Sequence, residues 1–329
     1  MRLLIYFTFL LFLFASCMKE EIPIPAHEPG DVTESQVVMG QFYNNQIFYN
    51  LNYNSVISEN LETGWEIAFD CSDTSSHVIL NSSLVCSAYK TTSTNFENIN
   101  SSIDIDEIDW SYDATSGNLD SLALKNYNDG SVFIINLGSS VSEEILNRGY
   151  KKILISKPSE VEYQIRSANL DGTMDTTVII SKDSDLNFIA YSLVNNSAVE
   201  VFPSKNSWDL MFTAYNNIFT LMGSPYPYRV SGVLINRKNT YVAEDIAHNF
   251  EDINYEMTQN DTIFNFIQNI DVIGYDWKDY SHSVGSFTIR ENLNYVIKTS
   301  SGLYFKLRFL DFYNSLGEKG CPKFEFQKL

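Results

Sequence analysis

The sequence holds little of what catalysis and metal binding draw on most. Its 329 residues include only four histidines and four cysteines. It has no His-Glu-x-x-His pair, no Gly-x-Ser-x-Gly elbow and no phosphate-cradling glycine loop. Those absences remove the signatures of zinc hydrolases, serine hydrolases and nucleotide enzymes, and the chain reads as a non-enzyme. Positive charge is also scarce: 22 Lys and Arg face 41 Asp and Glu, for a net charge of −19. Such a chain is repelled by nucleic acid and by anionic headgroups, so no nucleic-acid partner is expected. Beyond residue 17 no apolar run approaches the roughly 20 residues that a spanning helix needs. Alanine is sparse. What is abundant is aromatic, with 22 Phe and 20 Tyr, set among many Asn, Ser and Thr. That mixture favours strands and turns and predicts an all-β fold with few helices.

The N-terminus differs from the rest. Leu3–Phe14 is almost wholly apolar after the single charge of Arg2, which suits the core of a secretory signal peptide. Ala15-Ser16-Cys17 then reads as a lipobox. Small residues fit the peptidase cleft, and the thiol takes the lipid. Residues 1–16 are expected to be removed and Cys17 to be lipidated, each buried CH₂ of its acyl chains adding about 0.8 kcal/mol to anchoring. Phe14 departs from the usual aliphatic residue. Met18-Lys19-Glu20-Glu21 resembles the surface-export signal of Bacteroidetes lipoproteins, which implies an outer-membrane protein facing the exterior. Residues 17–35, with Pro23, Pro25, Pro29 and Gly30, read as an extended tether.

Cys71 and Cys86 are spaced to close a hairpin-sized loop, and a disulfide there would contribute about 3 kcal/mol. Two buried free thiols are the other reading. With Cys321 they lack metal-ligand spacing. Asp104 and Asp106 would share a strand face and offer hard oxygens to Ca²⁺, but the usual loop glycine is missing. A solvated turn is the simpler reading.

The rest of the chain repeats a plan. Ile47, Tyr49 and Leu51 alternate with polar residues, and Gly64-Trp65-Glu66-Ile67-Ala68-Phe69-Asp70 follows. Phe188–Leu193 and then Ser207-Trp208-Asp209-Leu210-Met211-Phe212-Thr213 return to it. Trp65 matches Trp208, and Glu66 matches Asp209. Asp109-Trp110 is matched to Asp276-Trp277, and closing strands follow in each half. Two related antiparallel domains in tandem are expected, 36–182 and 183–329, parted near Lys182-Asp183-Ser184-Asp185. Ser142–Leu146 carries helix-start signals. Asp129-Gly130 and Asp171-Gly172 carry hairpin-turn signals.

The second half resembles the HmuY family of haem-binding surface lipoproteins. The resemblance rests on Trp208–Phe212, Ile273–Trp277, Tyr295–Lys298, Tyr304–Phe309 and Gly317–Phe326, and a fainter copy covers 40–180. It implies haem as cofactor, gripped by two axial ligands, and an outer-membrane transporter or surface ligand as partner. A family ligand histidine follows a tryptophan much as His282 follows Trp277. The loop that should carry the second ligand is shortened between Tyr255 and Trp277, and His248 and Met257 are the nearest candidates. Haem propionates would need local cations such as Lys278 and Arg290. The alternative function is a surface lipoprotein that binds glycan or protein without ligating haem. A structural spacer is a third reading. His77 reads as a loop residue.

Overall fold

The computed structural model describes residues 28–329, so the signal segment, Cys17 and most of the tether lie outside the described residues. An arm comes first, with strands β1 (Thr33–Gln36), β2 (Asn45–Asn50) and β3 (Ser55–Leu61). There follow β4 (Ile67–Asp70), β5 (Val78–Leu80), β6 (Ser87–Lys90), β7 (Phe133–Asn136), β8 (Ser139–Val141), β9 (Ile145–Asn147), β10 (Tyr150–Ser159) and β11 (Glu162–Asn169). A second arm holds β12 (Thr176–Ser181), β13 (Phe188–Ser192) and β14 (Ser197–Val199). The rest comprises β15 (Leu210–Leu221), β16 (Ser224–Ile235), β17 (Tyr241–Asp245), the one-turn helix α1 (Tyr255–Thr258), β18 (Lys278–Ser281), β19 (Ser286–Ile289), β20 (Asn294–Lys298), β21 (Tyr304–Tyr313) and β22 (Lys319–Lys328). All pairings are antiparallel, so the all-β expectation holds.

Four sheets carry the fold. Two have five strands, in orders β1-β22-β21-β20-β17 and β12-β11-β10-β7-β6; two have four, in orders β14-β13-β4-β5 and β16-β15-β2-β3. Side-chain alternation stacks them. Ile47, Tyr49, Leu210 and Phe212 point from one four-stranded sheet toward Tyr295, Leu307 and Phe324 of a five-stranded sheet. Ile67, Phe69 and Val78 point from the other toward Phe133, Ile153 and Ile165. The residues between, Phe48, Met211, Ala68 and Ile79, face the opposite way into a central cluster with Trp65 and Trp208. The inner strands of the four-stranded sheets, and β5 beside them, are therefore buried on both faces. That is why β2, β4 and β5 are apolar or buried at nearly every position, against the one-sided alternation read around residue 47.

The first arm crosses over, while the second stays with the strands it follows. β2 pairs with β15, and β1 with β22, so the first arm completes the C-terminal sandwich. β13 pairs with β4, and β12 with β11, so the second arm completes the N-terminal one. The hydrogen bonds on the two sides are equivalent. Glu66 N–H donates to Tyr191 O while Glu66 Oε2 accepts from Leu193 N–H at 2.6 Å. Asp209 N–H donates to Tyr49 O while Asp209 Oδ2 accepts from Leu51 N–H at 2.9 Å. Asn81 caps Trp65 O, and Asn236 caps Trp208 O. Lys152 donates to Phe96 O and Ile99 O; Lys306 donates to Ile253 O and packs over Phe250.

Several sequence expectations change. The cut at 182/183 does not part the sandwiches, because strands on each side of it share both four-stranded sheets. Lys182 itself is fastened to Ser72 O and Ser75 O of the N-terminal unit. Ser142–Leu146 is the turn and second strand of the β8–β9 hairpin rather than a helix. One turn cannot offset its own nucleation cost, and Ile145 and Leu146 are exposed with no apolar face to bury against. Tyr127–Asp129 is a 3₁₀ turn stopped by Gly130 at φ +84°, so this Asp-Gly ends a helical turn instead of closing a hairpin. Asp171-Gly172 does lie in the β11–β12 connection. Trp110 stacks on Tyr150 at 5.8 Å, whereas Trp277 is buried on Phe309, so these two tryptophans occupy different settings. Ile105–Glu107 is an exposed 3₁₀ turn in which Asp104 caps Asp106 N–H. Cys71, Cys86 and Cys321 are buried free thiols, so no Cys71–Cys86 bridge forms. Burial pushes each thiol's pKa up.

Candidate functional site

His282 opens the turn of the β18–β19 hairpin, whose strands pair from Lys278↔Ile289 to Ser281↔Ser286. Gly285, at φ +76°, closes the turn with its N–H on Ser281 O at 2.7 Å. The His282 ring stands perpendicular to Tyr280, centroids 5.0 Å apart. Tyr280 is half exposed, and its other neighbour is Phe287 at 5.0 Å. The hairpin is held at its base, where Trp277 stacks on Phe309 at 3.9 Å and the Phe287 N–H donates to Tyr313 OH. Neither ring nitrogen of His282 takes part in a protein hydrogen bond, so both remain open to a ligand.

His248 and Met257 share a different location. His248 follows β17, with Nδ1 at 2.9 Å from Asp245 Oδ1. A carboxylate on Nδ1–H fixes the tautomer and leaves Nε2 as a lone-pair donor. The ring lies 6.2 Å from Phe264. Met257, on α1, packs in the same cluster with Phe264, Phe266 and Tyr304. The structure thus sets His248 and Met257 against one aromatic cluster. No hydrogen bond or ring contact joins either of them to His282. His77 lies in a loop, as expected, and its Nδ1 is 3.2 Å from the buried Asp70 Oδ2.

The cations expected near His282 already have partners. Lys278 is 5% exposed and donates to Ser231 O at 2.7 Å. Arg290 is held by Asp279, with Asp276 at 3.8 Å. A cleft of about 310 Å³ next to them is acidic, lined by Glu244, Asp271 and Asp276 with Asn265 and Asn269. Burial first, then the Asp276 charge, raises the carboxyls of Glu244 and Asp271. Among the described residues no group of three His, Cys, Asp or Glu side chains is arranged to hold a metal ion. None of their helices is long and apolar enough to cross a membrane.

Sequence reasoning missed one feature. β15 and β16 form a twelve-residue ladder ending at Leu221↔Ser224. Met222 and Gly223 make the two-residue turn, both at positive φ (50° and 86°), the geometry that follows strand twist. Beyond the sheet the hairpin is a finger. Phe219, Leu221, Tyr226 and Tyr228 share one exposed face, and Met222 at the tip is 99% exposed. Pro225 and Pro227 lie in β16, a sheet-edge strand, where they remove donors that another strand could use. The signal was present: no charged residue lies between Asp209 and Arg229.

A family model described as HmuY protein matches residues 42–326. The chain belongs to the HmuY family. The single match spans both sandwiches and reaches every strand but β1. No curated protein matches the chain. Among solved structures, apo PinO from Porphyromonas gingivitis aligns at 11% identity and TM-score 0.34, covering 91% of this chain and 98% of that one. The apo HmuY analogue of Tannerella forsythia aligns at 10% identity and TM-score 0.25, covering 92% and 98%. A Bacteroides vulgatus structure named as HmuY-like and haem-binding aligns at 9% identity and TM-score 0.23, covering 90% of each chain. Membership rests on the family match.

Proposed function

We propose that this HmuY-family chain captures haem, with His282 as an iron ligand, and that lipid on Cys17 holds it at the outer membrane facing the exterior. The observation that carries the haem reading is the His282 imidazole, free at both nitrogens beside the half-exposed Tyr280 ring, in a chain of this family. An imidazole is a good iron ligand and an aromatic flank suits a porphyrin face. The role is binding rather than catalysis. His248 and Met257 stay candidates for the other axial position.

Haemin titration of the wild type, His282→Ala, His248→Ala and Met257→Ala tests this. His282→Ala is expected to lose the shifted Soret band or to weaken binding at least tenfold. An unchanged spectrum in that variant removes His282 from the site. The anchor is tested separately: Cys17→Ala is expected to move the protein from the membrane to the soluble fraction, because acyl burial at about 0.8 kcal/mol per CH₂ is the proposed attachment. Membrane retention of that variant would contradict it.

A second reading, binding of glycan or protein, is favoured by the uncharged face of Phe219, Tyr226 and Tyr228 on the β15–β16 finger. Exposed apolar faces of this kind mark interaction surfaces. It takes precedence if haemin leaves the wild-type spectrum unchanged.

A further inference from the structure

Lys278 is the first residue of the β18–β19 hairpin and is buried to 5% exposure. Its Nζ donates to Ser231 O at 2.7 Å, on β16, and to Tyr275 O at 3.3 Å. Three rings surround it: Trp277 at 4.2 Å, Phe312 at 4.6 Å and Phe287 at 5.5 Å. No carboxylate pairs with it. A buried ammonium is normally retained with a carboxylate partner, because carbonyls and ring faces offset only part of the lost hydration. Here the side chain ties the hairpin base to another sheet through hydrogen bonds that a neutral amine also makes.

We propose that Lys278 is a proton-sensitive fastener that holds the β18–β19 hairpin against β16 when neutral and releases it when protonated. This goes beyond the haem reading and does not depend on it. Burial brings the Lys278 pKa down to about 7, with Asp276 acting weakly the other way. The other ionisable groups on the surrounding elements do not supply a partner. Tyr43 faces Ser231, and burial pushes it up to about 12. Arg229 is bound to Glu62, Arg290 to Asp279, and Lys319 lies over Tyr43. Tyr313 accepts the Phe287 N–H.

The direction follows from linkage. Once the hairpin detaches, Lys278 meets water and regains its ordinary pKa near 10.4, so the open form binds a proton that the closed form does not between about pH 7 and 10. Opening is therefore most frequent below pH 7 and is suppressed as pH rises. Between pH 6 and pH 8 the closed form gains about tenfold.

Amide hydrogen exchange of the full-length chain, corrected for intrinsic rates, reads this directly. Protection of residues 278–289 is expected to be about tenfold lower at pH 6 than at pH 8, and the difference is expected to vanish in Lys278→Met. Equal protection at both values in the wild type overturns the proposal, as does a difference that persists in Lys278→Met. NMR titration of the Lys278 Cε–Nζ group in the wild type needs no variant: a midpoint near 7 supports the fastener, and one above 9 overturns it.

Discussion

A fragment of residues 183–329 stays unfolded alone and folds when residues 28–61 are supplied as a separate peptide. The fragment keeps β15–β22 but loses β1, β2 and β3, which complete its two sheets. Val37, Met39, Ile47, Tyr49 and Leu51 leave the C-terminal core with them. Each such side chain stabilises by about 1.5–3 kcal/mol when buried. Together they approach the roughly 5–15 kcal/mol that a whole domain has to spare. The fragment also carries β13 and β14 without β4, leaving Phe188 and Tyr191 with no sheet to cover. Far-UV circular dichroism and amide-proton dispersion of the fragment, with and without the peptide, decide the matter. A cooperative fold without the peptide would contradict the crossing of the first arm.

Glu66→Ala is expected to destabilise the protein by about 3–5 kcal/mol, the range for stripping one partner from a buried ion pair. Glu66 is fully buried where the second arm meets β4. Oε1 meets Arg148 at 2.5 Å and Oε2 accepts the Leu193 N–H, so alanine strips a mostly buried guanidinium of its carboxylate, leaving it only the Leu137 and Thr63 carbonyls, and leaves a buried amide unmatched. The equivalent Asp209 has no cation. It accepts only the Leu51 N–H, and burial pushes its carboxyl up to about 6. A native pKa above the unfolded value near 4 means stability is lost as pH rises from about 4 to 6. Asp209→Asn keeps an acceptor for Leu51 and removes the charge. It is expected to be more stable than wild type by about 2 kcal/mol at pH 7, with the gain closing by pH 4. Chemical denaturation at both pH values measures each effect. A Glu66→Ala loss below about 1 kcal/mol, or an Asp209→Asn gain independent of pH, would contradict the account.

Much of the fold was legible because strands advertise themselves by composition. Phe69 and Phe212 sit in strands that the runs Gly64–Asp70 and Ser207–Thr213 foretell, and Trp65-Glu66 and Trp208-Asp209 do make equivalent bonds where the two sandwiches meet. Connectivity was not legible. Nothing in Ile47 or Tyr49 says whether their partner is β4 or β15, since both neighbours are apolar and buried on two faces. Only three-dimensional pairing distinguishes them. The site was legible in part. His282 lies on a hairpin turn that its local sequence, Ser281-His282-Ser283-Val284-Gly285, announces. Lys278 is expected as a cation open to haem propionates, but the rings of Trp277, Phe287 and Phe312 bury it, and the last two come from farther along the chain. Cys71 and Cys86 show the same limit: a suitable spacing says nothing about where the thiols point.

The central claim is that this HmuY-family chain binds haem. A haemin titration of the purified full-length chain, followed at the Soret band with albumin as competitor, tests it most directly. A saturable, shifted Soret band at one haem per chain that survives the competitor is expected. A featureless absorbance rise without saturation, matching haemin in buffer, would contradict it.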